Sequence, residues 1–170
     1  MGGTGNEIVV RIHLIELLIV VTIILIIAAI AVPCLTNSKI AANDASAVAS
    51  VRAIDAAEMS YQLAYGGYAR ALANLGGPEP CKKSAATACL LDETLERGSK
   101  SGYNFVATGD DPADGANTSY LVGAVPAVFD RSGRRRFCST EKHVIRVDAN
   151  AQGSTVPPDG QQCAAFNALQ

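Results

Sequence analysis

Hydrophobic and polar positions fall into three regimes along the chain. From Ile12 to Val32 fifteen of twenty-one residues are Ile, Leu or Val, and the only acid is Glu16. As a helix this run is roughly 31 Å long, the thickness of a bilayer's hydrocarbon core. On an insertion scale its aliphatic residues, at about −0.3 to −0.6 kcal/mol each, outweigh one acid at about +2.5 to +3.5 kcal/mol. Beyond Pro33 the stretch up to Tyr65 lacks Gly and is dense in Ala, the best helix former. One helix is therefore predicted from Ile12 to Tyr65, kinked near Pro33 where a backbone donor is missing. Val51, Ile54, Tyr61 and Tyr65 recur near helical spacing and make a stripe for a sheet to pack on, while Ala41, Ala45, Ala49, Ala53 and Ala57 step every four residues and admit a close helix. Arg52 and Asp55, at i and i+3, read as a solvated pair.

After Gly66 and Gly67 the period changes. "YARALANLGG" and "LLDETLERG" predict short helices flanking a turn-rich loop, "GPEPCKKSAATAC". "GYNFVATG", "SYLVGAVPAVF", "RRFCST" and "HVIRVDAN" are short, β-rich and separated by turn signals, which predicts four strands in an antiparallel meander. The tail "AQGSTVPPDGQQC" reads as irregular. The expected fold class is α+β: a long N-terminal helix packed on a four-stranded antiparallel sheet as a two-layer head. A head of this size cannot cover the apolar half, which is expected to protrude into lipid or against its counterpart in neighbouring molecules.

Composition adds compartment rather than chemistry. Net charge is −2, which gives no general attraction to nucleic acid or acidic membranes, so any such binding must come from a local patch. Cysteines stand at 34, 81, 89, 138 and 163 without metal-ligand spacing, so no metal and no cofactor are expected. Four of them follow the apolar run in loop-like sequence and suit two disulfides in an oxidising compartment. Of three possible pairings, loop closure and proximity favour Cys81 with Cys89 and Cys138 with Cys163. That places the C-terminal domain outside the cytoplasm. No nucleophile–base set or phosphate loop occurs, so an enzyme is not expected; His13 and His143 lie far apart, the latter in a predicted strand. A cleaved secretory signal fits poorly because the run is too long and holds an acid. A lipoprotein signal fits poorly because Pro33 precedes Cys34.

"LIELLIVVTIILIIAAIAVP", residues 14–33, together with the Ala-rich extension and the cysteine-closed β-rich head, closely resembles type IV pilins and the related type II secretion pseudopilins. The phrases "SKIAANDASAVASVRAIDAAEMSYQ" and "RRFCSTEKHVIRVDAN" look like pilins with small heads. The resemblance divides the chain into a leader (1–11), a transmembrane and filament-core helix half (12–33), a helix half packed on the head (34–66), an αβ-loop (67–100), the β-meander (101–149) and a disulfide-closed C-terminal region (150–170). It implies a bacterial inner-membrane precursor, cut by a dedicated peptidase between Arg11 and Ile12 and polymerised by an assembly machinery into a helical homo-oligomer outside the cell. The family's cut follows a Gly, and Arg11 stands in that position. Glu16, at the fifth mature position, is implied to pair with the amino terminus of a neighbouring subunit, so Glu16, Ile12 and Pro33 are the assembly residues.

The implied function is a structural subunit of a surface filament for adhesion or twitching motility. A pseudopilin working in a short periplasmic fibre shares the fold. A third reading is a tip subunit binding DNA or a surface ligand through Arg131, Arg134, Arg135 and Arg136, although a solvated turn is the plainer account of that cluster, and nucleic acid is not the expected partner. The stripe of Tyr61, Tyr65 and Tyr68 reads as packing.

Overall fold

The computed structural model describes residues 14–110 and 115–169. It forms two compact units, divided between Asn37 and Ser38. Helix α1 is assigned from Leu14 to Tyr65 and contains Pro33. In the first unit every described residue is exposed except the half-buried Ala28.

The second unit is α+β. Its part of α1 buries Ile40, Ala47, Val51, Ile54, Ala57 and Tyr61. Gly66 stops the helix in the left-handed region (φ 81°), its amide donating to the Gln62 carbonyl at 2.9 Å. Two single-turn helices follow, α2 (Leu72–Leu75) and α3 (Glu93–Glu96), in the two segments where sequence predicts them. The Asp92 side chain caps α3 by accepting from the Leu95 amide at 2.8 Å.

The sheet has six strands rather than the expected four. All neighbours are antiparallel and in chain order: β1 (Ser99–Lys100), β2 (Tyr103–Gly109), β3 (Tyr120–Pro126), β4 (Arg136–Thr140), β5 (Arg146–Asp148) and β6 (Asn167–Ala168). The central four are those read from sequence. The two added edges are two residues each, too short to carry a period-2 signal. The predicted strand around His143 begins only at Arg146; His143 itself has φ 54° and lies in the preceding turn.

Alternation along β2 and β3 turns Tyr103, Phe105, Ala107, Tyr120, Val122 and Ala124 inward. With Phe137 from β4 they form one core with the buried α1 residues. Gly133 is required there, because a Cβ on it would fall 2.3 Å from the Tyr103 hydroxyl. The tail is more ordered than expected. Asp159 caps helix α4 (Gly160–Ala165), which carries Cys163 and reaches β4 through its bond to Cys138. A Cβ on Gly123 would touch Pro157 and Pro158 at 3.3 Å, so the tail covers the part of the sheet's second face around Gly123, while Asn104 and Thr108 on the same face of β2 stay exposed.

The disulfides are Cys81–Cys89 and Cys138–Cys163, the two short-range pairings; Cys34 takes part in neither. The first spans 8 residues and the second 25. By chain entropy they stabilise by about 2.5 and 3.5 kcal/mol respectively. Urea unfolding of the two double Cys→Ser variants should therefore give the larger loss for the Cys138/Cys163 pair; the reverse order would contradict loop closure as its source.

Candidate functional site: an exposed apolar helix and a carboxylate seam

Two features of α1 stand out, one in each unit. In the first, Leu14, Ile30 and Leu35 are 86 %, 71 % and 69 % exposed, and every other Leu, Ile and Val from 15 to 32 is exposed as well. The polar groups do little to relieve this. The Thr22 hydroxyl donates back to the Leu18 and Ile19 carbonyls at 2.7 and 2.9 Å, and Thr36 donates to Val32 at 3.1 Å, so both are satisfied within the helix and suited to apolar surroundings. Pro33 deprives the Ala29 carbonyl of its usual helical donor. By length and composition this helix is able to cross a membrane. Glu16 lies in the first turn, where the helix dipole favours an anion. Arg11 and Ile12, and the leader to which Arg11 belongs, lie outside the described residues.

The second feature was missed in the sequence. Asp44, Asp55 and Glu58 all face inward, into the head. Asp44 accepts from the Tyr103 hydroxyl (2.5 Å) and from Arg135 Nε (2.8 Å). Asp55 is not in a solvated pair with Arg52: it is buried, accepting from the Tyr120 hydroxyl at 2.9 Å and the Ser139 hydroxyl at 2.7 Å. The Tyr120 oxygen in turn lies 3.0 Å from His143 Nδ1. Glu58 is fully buried; its Oε2 accepts from the Ala69 amide at 2.9 Å and its Oε1 has no partner among the described residues. The outward side of the same helix, from Ser38 to Tyr65, exposes Ala41, Ala42, Ala45, Ala49, Ala53, Ala56 and Leu63, with Lys39 and Arg52 its only exposed charges. Of the predicted stripes, Val51, Ile54 and Tyr61 are buried, Tyr65 is 37 % exposed, and only Ala57 of the alanine row is covered.

Burial raises the pKa of both acids on the last turns. For Asp55 it outweighs the two hydroxyl bonds and the nearby His143. For Glu58 it outweighs the Ala69 amide and, with the Asp55 charge adding to it, brings the carboxyl to about 7. Burial and the neighbouring aspartates push the Tyr103 and Tyr120 phenols far up, so both remain donors.

The arginine cluster does not form a common cationic face. Arg134 pairs with Asp130, Arg135 with Asp44, and Arg136 with Asp148 at 2.7 Å. Arg135 also stacks over Phe137 and Arg136 over Phe166. Arg131 alone of the four makes no ion pair among the described residues. Comparison of the chain with family models, curated proteins and solved structures returned no match.

The Glu58 geometry predicts a pH dependence. Its folded pKa of about 7 lies above the ordinary 4.5, so between those values the folded state keeps a proton that the unfolded chain releases. The stability this group permits is complete below pH 4.5 and is lost as pH rises to 7, on the order of 3 kcal/mol at about 1.4 kcal/mol per pH unit. Glu58→Gln should remove that slope, raising Tm relative to the parent at pH 8 and converging with it near pH 5. Parallel Tm profiles would contradict a buried, proton-holding Glu58.

Proposed function

We propose that the chain is a pilin-type subunit, stored in a membrane through the first half of α1 and polymerised into a surface filament in which that half packs against its copies. The observation that carries this reading is the pairing of a wholly exposed aliphatic helix with a single carboxylate in its first turn. Each Leu or Ile moved out of water gains about 1.5–3 kcal/mol, so the segment requires lipid or another apolar helix around it. A lone carboxylate in such a bundle is costly unless a cation meets it, and a cation at one fixed stagger makes the acid a register key. In the filament that cation is the amino terminus freed at Ile12 of a neighbour, and Glu16 is the key. The two disulfides support residence outside the cytoplasm. Three of the four clustered arginines already hold carboxylates, which leaves the DNA-binding reading without its patch.

Mass spectrometry of filaments sheared from the producing cell should find a mature chain beginning at Ile12. In Glu16→Ala, filament yield should fall at least tenfold while the membrane-held monomer keeps both disulfides. An intact leader confined to membranes, or undiminished filaments from the variant, would overturn the assembly role.

A further inference from the structure

One cavity of the second unit gathers unpaired positive charge. It has a volume of about 390 Å³ and is lined by Lys39, Asn43, Ser101, Gly102, Val128, Arg131 and Ser132. Neither Lys39 nor Arg131 makes an ion pair among the described residues, and no carboxylate lines the cavity. The acids nearest in sequence are engaged elsewhere: Asp44 by Arg135 and Tyr103, Asp130 by Arg134.

The walls are held in place by bonds within the head. Asn43 donates its side-chain amide to the Ser132 carbonyl at 2.8 Å, fixing α1 to the β3–β4 turn that carries Arg131. The Ser46 hydroxyl bonds that of Ser101 at 2.9 Å, fixing the same helix to the β1–β2 turn. That turn needs the left-handed Ser101 (φ 51°) and Gly102 (φ 73°), and a Cβ on Gly102 would lie 2.8 Å from Ser132. Val128 adds a half-exposed aliphatic side chain to the rim.

Two cations lining one cavity, one of them the planar fork of an arginine, suit a phosphodiester, whose two non-bridging oxygens can each meet one of them; the Ser101 hydroxyl accepts from Ser46 and keeps its own proton, while that of Ser132 is spent on the Val128 carbonyl. Lys39 comes only four residues after Leu35, the last of the exposed aliphatic series. This is about 6 Å along a helix and at most about 14 Å for any chain path. With the aliphatic series in the hydrocarbon, Lys39 stands in the headgroup layer, where a lysine stem reaches phosphates readily.

We propose that this cavity binds the phosphate of a membrane phospholipid and so seats the head on the bilayer surface in the stored state. The proposal rests on the membrane-stored half of the reading above and not on the filament. Polymerisation would have to strip the headgroup from Lys39 and Arg131, so the lipid acts as a competitor of assembly.

The test uses the full chain in phosphate-free maltoside micelles, following the backbone amide signals of Ser101, Gly102 and Ser132. Adding phosphatidylglycerol should shift them saturably, and a neutral galactosyl diacylglycerol should not. Lys39→Gln and Arg131→Gln, both exposed and without ion pairs, should each weaken the response at least tenfold with the fold unchanged. Inorganic phosphate at millimolar concentration should displace the lipid. Equal shifts with the neutral glycolipid, no shift with phosphatidylglycerol, or unaltered binding by both variants would overturn the site. A response to inorganic phosphate alone would overturn the lipid as its source. Whether the chain resists alkaline extraction from phosphatidylglycerol vesicles is read separately: failure there sinks membrane storage, whereas a chain that inserts without amide shifts sinks only the headgroup site.

Discussion

The constraint on which everything else depends is the cost of leaving an aliphatic helix in water. From Leu14 to Leu35 fifteen Leu, Ile and Val side chains of the described residues are at least 46 % exposed. At ordinary burial energies their combined demand is some tens of kcal/mol, more than the net stability of a typical domain. The chain meets none of that demand from its own described atoms. Its surroundings have to, and both environments proposed for it, lipid and sister helices, are answers to the same physical requirement.

The second unit solves the opposite problem. Its share of α1 turns its three carboxylates inward and leaves its outer face almost uncharged, the reverse of a helix on the surface of an ordinary soluble domain. Buried acids are tolerated only where donors are arranged for them in advance, and Tyr103, Tyr120, Ser139 and Arg135 supply these for Asp44 and Asp55. Glu58 has only one amide, and burial raises its pKa to about 7, so that taking up a proton removes a charge that its surroundings do not meet. The helix is thereby indexed to the sheet by polar contacts along its length, which a purely apolar stripe would not do, since such a stripe permits sliding.

What was legible in the sequence is what local chemistry controls. The long helix follows from alanine content and the absence of glycine up to Gly66, the four central strands from alternation and turns, and the disulfides from short loops. Helical spacing between opposite charges does not reveal the inward acids. Asp55 has Arg52 at helical spacing, whereas its actual partners lie 65 and 84 residues away in the chain. A signal did exist: Asp44, Asp55 and Glu58 fall on the same helical side as Val51 and Ile54, so three acids shared the stripe assigned to the core. The arginine cluster misled for the same reason, because neighbours in sequence diverge along β4 and its preceding turn to separate carboxylates. The edge strands β1 and β6 and helix α4 depend on tertiary pairing and on the Cys138–Cys163 tether, neither of which leaves a periodic trace.

The inward carboxylates also dictate where the polypeptide tolerates severing. A soluble fragment trimmed at Gly66, the visible end of the helix, would discard Ile54 from the core and leave the Tyr103 and Tyr120 phenols and the Ser139 hydroxyl facing an empty trough. Scissors have to fall ahead of Ser38, so that any excised head carries away 28 residues of helix as its own missing wall.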